Sequence, residues 1–169
     1  MADNPLVSIV MGSDSDLEIM NEAARALDQF GIPYEIDITS AHRSPARTSE
    51  FARKALGRGI KAIIAGAGGA AHLAGVIAAE TTIPVIGVPI PSTSLNGMDS
   101  LLSVVQMPAG IPVATVAIGK AGATNAGILA AQIIGLSDGG VADKLKEHKQ
   151  KLAEGVEEKS RKLRQSRAK

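Results

Sequence analysis

Five short apolar runs, each followed by a segment of helical spacing and closed by glycine or proline, constrain this 169-residue chain more than any other feature. The first run, LVSIVM at residues 6–11, is rich in β-branched side chains, and a GSDSD turn follows it. Leu17, Met20, Ala24 and Leu27 then recur at helical spacing until GIP at 31–33 closes the element. Further strands are expected over 34–39, 61–65, 83–90 and 113–118. Helices are expected between 45 and 59, in a short small-residue segment ending at Glu80, over 97–107, over 121–136, and along the charged tail. Strands separated by helices imply right-handed βαβ crossovers, so the sheet should be parallel with helices on both faces. The expected fold is therefore α/β, a three-layer αβα domain whose strand count matches a flavodoxin-like doubly wound parallel sheet with a C-terminal helix. A chain of this length buries roughly 70% of its unfolded surface, enough for one core. Residues 1–136 are expected to form the αβα domain that carries the chemistry. Residues 137–169 should form a charged helical extension, packed on that domain or on a neighbouring subunit.

Charge is distributed unevenly. Residues 144–169 carry ten Lys/Arg against four Glu, whereas 1–143 carry eight against thirteen Asp/Glu. The basic surplus sits in a mixed-charge tail, which reads as a solvated surface helix. Between residues 62 and 119 the only Asp, Glu, Lys or Arg are Glu80 and Asp99. Two helices in that stretch, near 70–79 and 98–107, thus lack a charged outer face, and subunit contacts are expected to cover them.

Several classes are excluded. The chain has no cysteine, which removes disulfides, thiolate catalysis and Cys-ligated zinc. Phe30, Tyr34 and Phe51 are its only Phe, Tyr or Trp, too few for a base-stacking platform. The start lacks a basic segment, and the uncharged stretch near 100–119 is interrupted by Pro108 and Pro112. A cytoplasmic protein is expected, with no nucleic-acid partner and no membrane contact.

In open α/β sheets, ligands bind beyond the carboxyl ends of the strands. Three loops of interest lie there. In the first, residues 12–16, Ser13 is placed for an oxyanion at a helix start and Asp16 for ribose hydroxyls. Ser15 and Glu18 fit a capping box. The paired aspartates suggest a metal, but no further Asp, Glu or His motif completes one. In the second loop, Ser40, His42 and Arg43 follow a strand directly. Arg43 offers a donor fork for phosphate or carboxylate, and a histidine exchanges protons near neutrality. An ordinary solvated turn is the competing reading of both residues. The third loop, GAGGAA at 66–71, fits a relaxed dinucleotide fingerprint, but it follows the wrong strand and lacks the acidic residue about twenty positions on. Its glycines better suit a backbone that closely approaches a flat ligand. His72 just beyond reads as a substrate contact or a helix cap, and His148 as a surface residue. Spacing alone leads to a phosphate-bearing small molecule and a proton-transferring histidine, and does not name the reaction.

These segments carry a resemblance. VMGSDSD (10–16), SAHR (40–43), AGAGGAAHL (65–73), DSLLSVVQMP (99–108) and AIGK (117–120) resemble the PurE family of purine-biosynthetic N5-carboxyaminoimidazole ribonucleotide mutases, in its class I form. The resemblance implies a cofactor-free, metal-free rearrangement, in which a carboxylate leaves the exocyclic nitrogen of the imidazole ribonucleotide and reappears on C4. It implies His42 as the acid–base group. Ser13, Ser40 and Arg43 would bind phosphate and Asp16 the ribose, with Gly12 and Ala41 also contacting substrate. Gly68, Gly69, Ala70, His72 and Leu73 would line the base and carboxylate pocket. It further implies a homo-octamer and a functional link to an ATP-dependent N5-carboxyaminoimidazole ribonucleotide synthase. Two positions depart from the pattern: Thr39 stands where an aliphatic residue is usual, and Ala74 where proline is expected. The alternatives are a class II carboxylase that adds CO2 directly to aminoimidazole ribonucleotide, and a non-catalytic nucleotide-binding module.

Overall fold

β1 (Val7–Met11) is buried from end to end, as a strand covered on both faces must be. In the computed structural model, which describes residues 4–92 and 94–167, it lies inside a five-stranded sheet. The partners are β2 (Tyr34–Ile38), β3 (Ala62–Gly68), β4 (Val85–Ile90) and β5 (Ala114–Thr115). All pairings are parallel and the order is β2-β1-β3-β4-β5. That is the flavodoxin-like order, with its switch point between β1 and β3.

Alternate side chains divide the core into two layers. Ile9, Met11, Ile64 and Val88 pack with α1 (Leu17–Phe30) and α5 (Gly119–Gly135). Val10, Ile63, Ala65 and Val85 face the opposite layer of α2 (Pro45–Ala55), α3 (Leu73–Glu80) and α4 (Met98–Val105). Helices on both faces give the expected three-layer αβα domain.

Two strands differ from the sequence reading. β3 continues through Gly66, Ala67 and Gly68, which pair with Val88, Pro89 and Ile90. The glycines are strand residues because space is short. A side chain on Gly66 would run into Met20, and a Cβ on Gly68 would stand 3.3 Å from Ile90 O. β5 keeps two residues of the six expected. Pro112 cannot donate to the ladder, and the chain turns into α5 directly after Val116 donates to Gly87 O.

The charge-poor helices part company. α3 buries Leu73, Ala74, Ile77 and Ala78, and Glu80 at its end is held by Arg53 and Ser49 of α2. Within one chain α2 already covers it. On and before α4, however, Leu95, Met98, Leu102 and Val105 are each about half exposed and form one apolar stripe.

The charged tail forms α6 (Gly139–Arg167), as expected through residue 167; residues 168 and 169 lie outside those described. Its first turns dock on the domain. Val141 is buried, Lys144 Nζ donates to Phe30 O at 2.7 Å, and the His148 ring meets the Phe30 ring edge-on at 5.5 Å. His148 is thus a half-buried docking residue rather than a plain surface one. No helix among the described residues is long and apolar enough to cross a membrane.

α1 and α5 cross closely at Gly127, where an added Cβ would stand 2.6 Å from Ala23 O and 2.7 Å from Ala26 Cβ. Gly127→Ala sets helix propensity, worth about 1 kcal/mol in favour, against overpacking of about 1–3 kcal/mol. Net destabilisation is expected, read as a lower urea midpoint. A raised midpoint would show that the crossing tolerates a methyl group.

Candidate functional site

The register of β2, β1 and β3 brings their carboxyl ends to one edge, with β1 and β2 ending level and β3 two residues further on. Met11 pairs with Ile38 on one side and Gly66 on the other. Gly12 and Thr39 therefore leave the sheet side by side, β3 runs on to Gly68 before its own loop begins, and the three loops meet beyond that edge.

In the first loop, Ser13 has extended backbone and caps a 3-10 turn over Asp14–Asp16. Its Oγ accepts from Ser15 N–H at 3.4 Å and donates to Asp14 Oδ1 at 3.0 Å. Ser13 is therefore the capping residue, and the capping box expected from Ser15 and Glu18 does not form. Because the 3-10 turn intervenes before α1, Glu18 swings away and pairs with Lys120 Nζ at 2.6 Å. That ion pair is exposed and worth little to stability, though it holds Glu18 below its ordinary pKa through the Lys120 hydrogen bond. Asp16 is half buried, and loss of solvent pushes its carboxyl pKa upward against hydrogen bonds from Ser15 and Ser13 and the charge of Arg43.

The second loop is braced from beneath. Ser44 Oγ donates to Ser40 O and accepts from Ser40 N–H, each at 3.1 Å. Below it the Thr39 and Thr48 hydroxyls meet at 2.7 Å, both fully or nearly fully buried. Thr39 thus has a physical reason: an aliphatic side chain there would leave the buried Thr48 hydroxyl with only Ser44 O as partner. Arg43 lies over the loop, its Nε and backbone N–H directed to Ser40 Oγ at 3.4 and 3.2 Å, while its Nη2 donates to Gly12 O. This ties the second loop to the first.

The third loop leaves β3 at Gly68, turns at Gly69 with φ +61°, and enters α3 after His72. His72 caps that helix with its backbone, whose carbonyl accepts from Val76 N–H at 3.0 Å. Its side chain reaches across the loops. His72 Nδ1 lies 2.8 Å from His42 Nε2, with the two rings edge to face at 76°.

Together the loops wall a cleft of about 330 Å³. Eleven of the twelve residues singled out from sequence line it: Gly12, Ser13, Asp16, Ser40, Ala41, His42, Arg43, Gly68, Ala70, His72 and Leu73. Gly69 does not. Its positive φ shapes the turn behind the cleft, so it acts on the backbone path. Ala67 also lines the cleft; it lay within the third loop read from sequence but was not singled out there, since an alanine between glycines carries no chemical signal of its own. The contact between the two histidines was likewise not legible, since thirty residues separate them. Arg47 borders an adjoining depression beside Ser13 and Arg43, paired with Asp37 at 2.7 Å. No group of three or more His, Asp or Glu side chains able to hold a metal ion occurs among the described residues.

The arrangement is one anion-binding flank of hydroxyls and a guanidinium, one carboxylate, and a histidine pair over a glycine–alanine floor. Chemically it can hold a phosphorylated, ring-bearing small molecule and move a proton on it.

The family described as AIR carboxylase matches residues 6–155 of this chain. An N5-carboxyaminoimidazole ribonucleotide mutase from Pyrococcus horikoshii is 59% identical over 162 residues, covering 96% of this chain and 90% of that one. One from Bacillus subtilis is 58% identical over 159 residues, covering 94% of this chain and 98% of that one. The phosphoribosylaminoimidazole carboxylase of Candida glabrata is 54% identical over 159 residues, 94% of this chain but 28% of that longer protein. The crystal structure of Treponema denticola PurE matches with a TM-score of 0.84 at 36% identity, over 94% of this chain and 98% of that one. A family match over residues 6–155, with similarity of this depth along nearly the full length of this chain and of both mutases, places the chain in the AIR carboxylase family.

Proposed function

We propose that this chain is an N5-carboxyaminoimidazole ribonucleotide mutase, an isomerase of purine biosynthesis that moves a carboxylate from the exocyclic nitrogen to C4 of one imidazole ribonucleotide. The observation that carries the reading is the convergence of Ser13, Asp16, Ser40, His42, Arg43 and His72 in one cleft, on a chain similar to mutases along their length.

The roles follow from chemistry at each wall. Ser13, Ser40, Arg43 and the Gly12 backbone bind the phosphate, and Asp16 accepts from ribose hydroxyls. Ala41, Gly68, Ala70, His72 and Leu73 enclose the base and its carboxylate. In the forward step the N–carboxyl bond breaks, its electron pair stays on nitrogen, and His42 supplies the proton that nitrogen needs. The CO2 released is held against the small-residue floor. C4 attacks it, a C–C bond forms, and the C4 proton returns to His42. One proton goes out and one comes back, so the reaction balances without a co-substrate. Positioning and exclusion of water do the remaining work.

Residues 1–136 carry this chemistry and 137–169 form the extension; every cleft residue lies between 12 and 73. We assign the exposed stripe of Leu95, Met98, Leu102 and Val105 to contacts between copies in a cytoplasmic homo-octamer. The substrate, itself a product of ATP-dependent N-carboxylation, links the enzyme functionally to the corresponding synthase.

Three measurements check this reading. Purified protein without ATP is expected to form the C4 carboxylate rapidly from N5-carboxyaminoimidazole ribonucleotide, and His42→Asn to abolish that while changing nucleotide affinity less than roughly tenfold, about 1.4 kcal/mol. Efficient turnover only from aminoimidazole ribonucleotide and CO2 would move the chain to the carboxylase class, and near-normal turnover in His42→Asn would remove the acid–base role. Arg43→Ala is expected to raise KM at least about tenfold, by loss of a charge-assisted phosphate contact of about 1.5–3 kcal/mol. An unchanged KM would remove that contact. Light scattering should give about 138 kDa, eight copies of the 17.3-kDa chain; a monomeric mass would contradict the octamer.

A further inference from the structure

The first loop carries a carboxylate, Asp14, that the proposed reaction does not use. Its side chain is exposed, yet its Oδ1 accepts from Ser13 Oγ at 3.0 Å and from Ser15 N–H at 3.1 Å. Two donors that converge on one anionic oxygen are what an oxyanion seat provides. Asp14 also borders the depression beside the cleft, which has Ser13, Ser40 and Arg43 in common with it and adds Arg47. The Ser13 hydroxyl that it holds is the one assigned to the substrate phosphate. A hydroxyl has one proton to donate. That proton goes to the Asp14 carboxylate or to a phosphate oxygen, and not to both.

We propose that Asp14 is an internal competitor for the phosphate. Its carboxylate occupies the Ser13 donor while the site is empty and is displaced when a phosphate binds. The inference rests on the placement of the phosphate beside Ser13 and Arg43.

The consequence is a looser hold on the phosphate end of the ligand. Binding has to break the charge-assisted bond from Ser13 and bring a phosphate of about −1.5 to −2 charge up to a carboxylate. Solvent around the exposed Asp14 screens the repulsion, which keeps the effect modest. Substrate and product carry the same phosphate, so a contact to it strengthens both alike and does nothing for the carboxylate transfer itself. A competitor at that contact limits the affinity for both and lets the product leave. When the phosphate departs, the carboxylate returns and Ser13 regains its acceptor.

The test is calorimetric and structural, on the full chain at one ionic strength. The ligands are inorganic phosphate, aminoimidazole ribonucleotide and its phosphate-free riboside. Asp14→Asn should bind inorganic phosphate and the ribonucleotide about threefold to tenfold more tightly than wild type, by similar factors, while riboside affinity changes less than about twofold. Its amide still offers Ser13 and Ser15 an acceptor, so the turn is kept. Asp14→Ala, which removes the acceptor as well, should tighten phosphate at least as much. A crystal structure of wild type with phosphate bound should show Asp14 Oδ1 more than about 3.5 Å from Ser13 Oγ, with a phosphate oxygen in its place. Unchanged or weakened phosphate binding in Asp14→Asn overturns the proposal, as does a phosphate complex in which Ser13 still donates to Asp14. Equal tightening of the riboside also overturns it, because the effect would not belong to the phosphate. Phosphate seated away from Ser13, with ribonucleotide affinity unchanged in Arg43→Ala, removes the phosphate placement beneath it.

Discussion

The site depends on the ladder that holds β1 between β2 and β3. Met11 is paired to both neighbours at the last residue before the chain leaves the sheet. Beyond it Thr39 N–H donates to Met11 O at 2.9 Å and Gly12 N–H to Gly66 O at 3.4 Å, so the first two loops start level and the third follows two residues later, after Gly68. A slip by one residue would invert the side chains of a strand relative to both core layers, and buried Ile9, Met11 and Ile64 forbid it. Packing on two faces thus fixes, at a distance, where His42 and His72 meet.

The same economy appears in the small residues. Gly66 and Gly68 belong to a strand pressed against Met20 and Ile90, and only Gly68 also forms part of the cleft. They let the sheet carry a flat, uncharged floor to its very edge. Thr39 and Thr48 serve the other side. A buried hydroxyl pair is stable when both members are satisfied, and this one fastens the end of β2 to α2 beneath the turn that bears His42 and Arg43. Core packing and site geometry are therefore not separable here.

Much of this was legible in the sequence, for identifiable reasons. Alternating apolar runs and helical spacing report burial, so the order of elements and the doubly wound class could be read directly. Loops after consecutive strands of a parallel sheet share an edge, so residues 12–16, 40–45 and 66–75 could be grouped. What failed was local competition. The capping box at Ser15 and Glu18 lost to a 3-10 turn capped by Ser13, and the end of β3 was hidden because glycine carries no strand signal. The contacts made across the fold, His42 with His72 and Thr39 with Thr48, leave no periodic trace. Thr39 was visible only as a departure, and its reason needed the structure.

The central claim is that one carboxyl group stays in this cleft while it changes atoms. It is tested most directly by running the reaction on N5-carboxyaminoimidazole ribonucleotide labelled with 13C in the carboxylate, in excess unlabelled bicarbonate and dissolved CO2. A mutase that holds CO2 against its small-residue floor should return the label in the C4 carboxylate of the product. Loss of the label to the solvent pool would show that CO2 is released and recaptured, and would contradict the account.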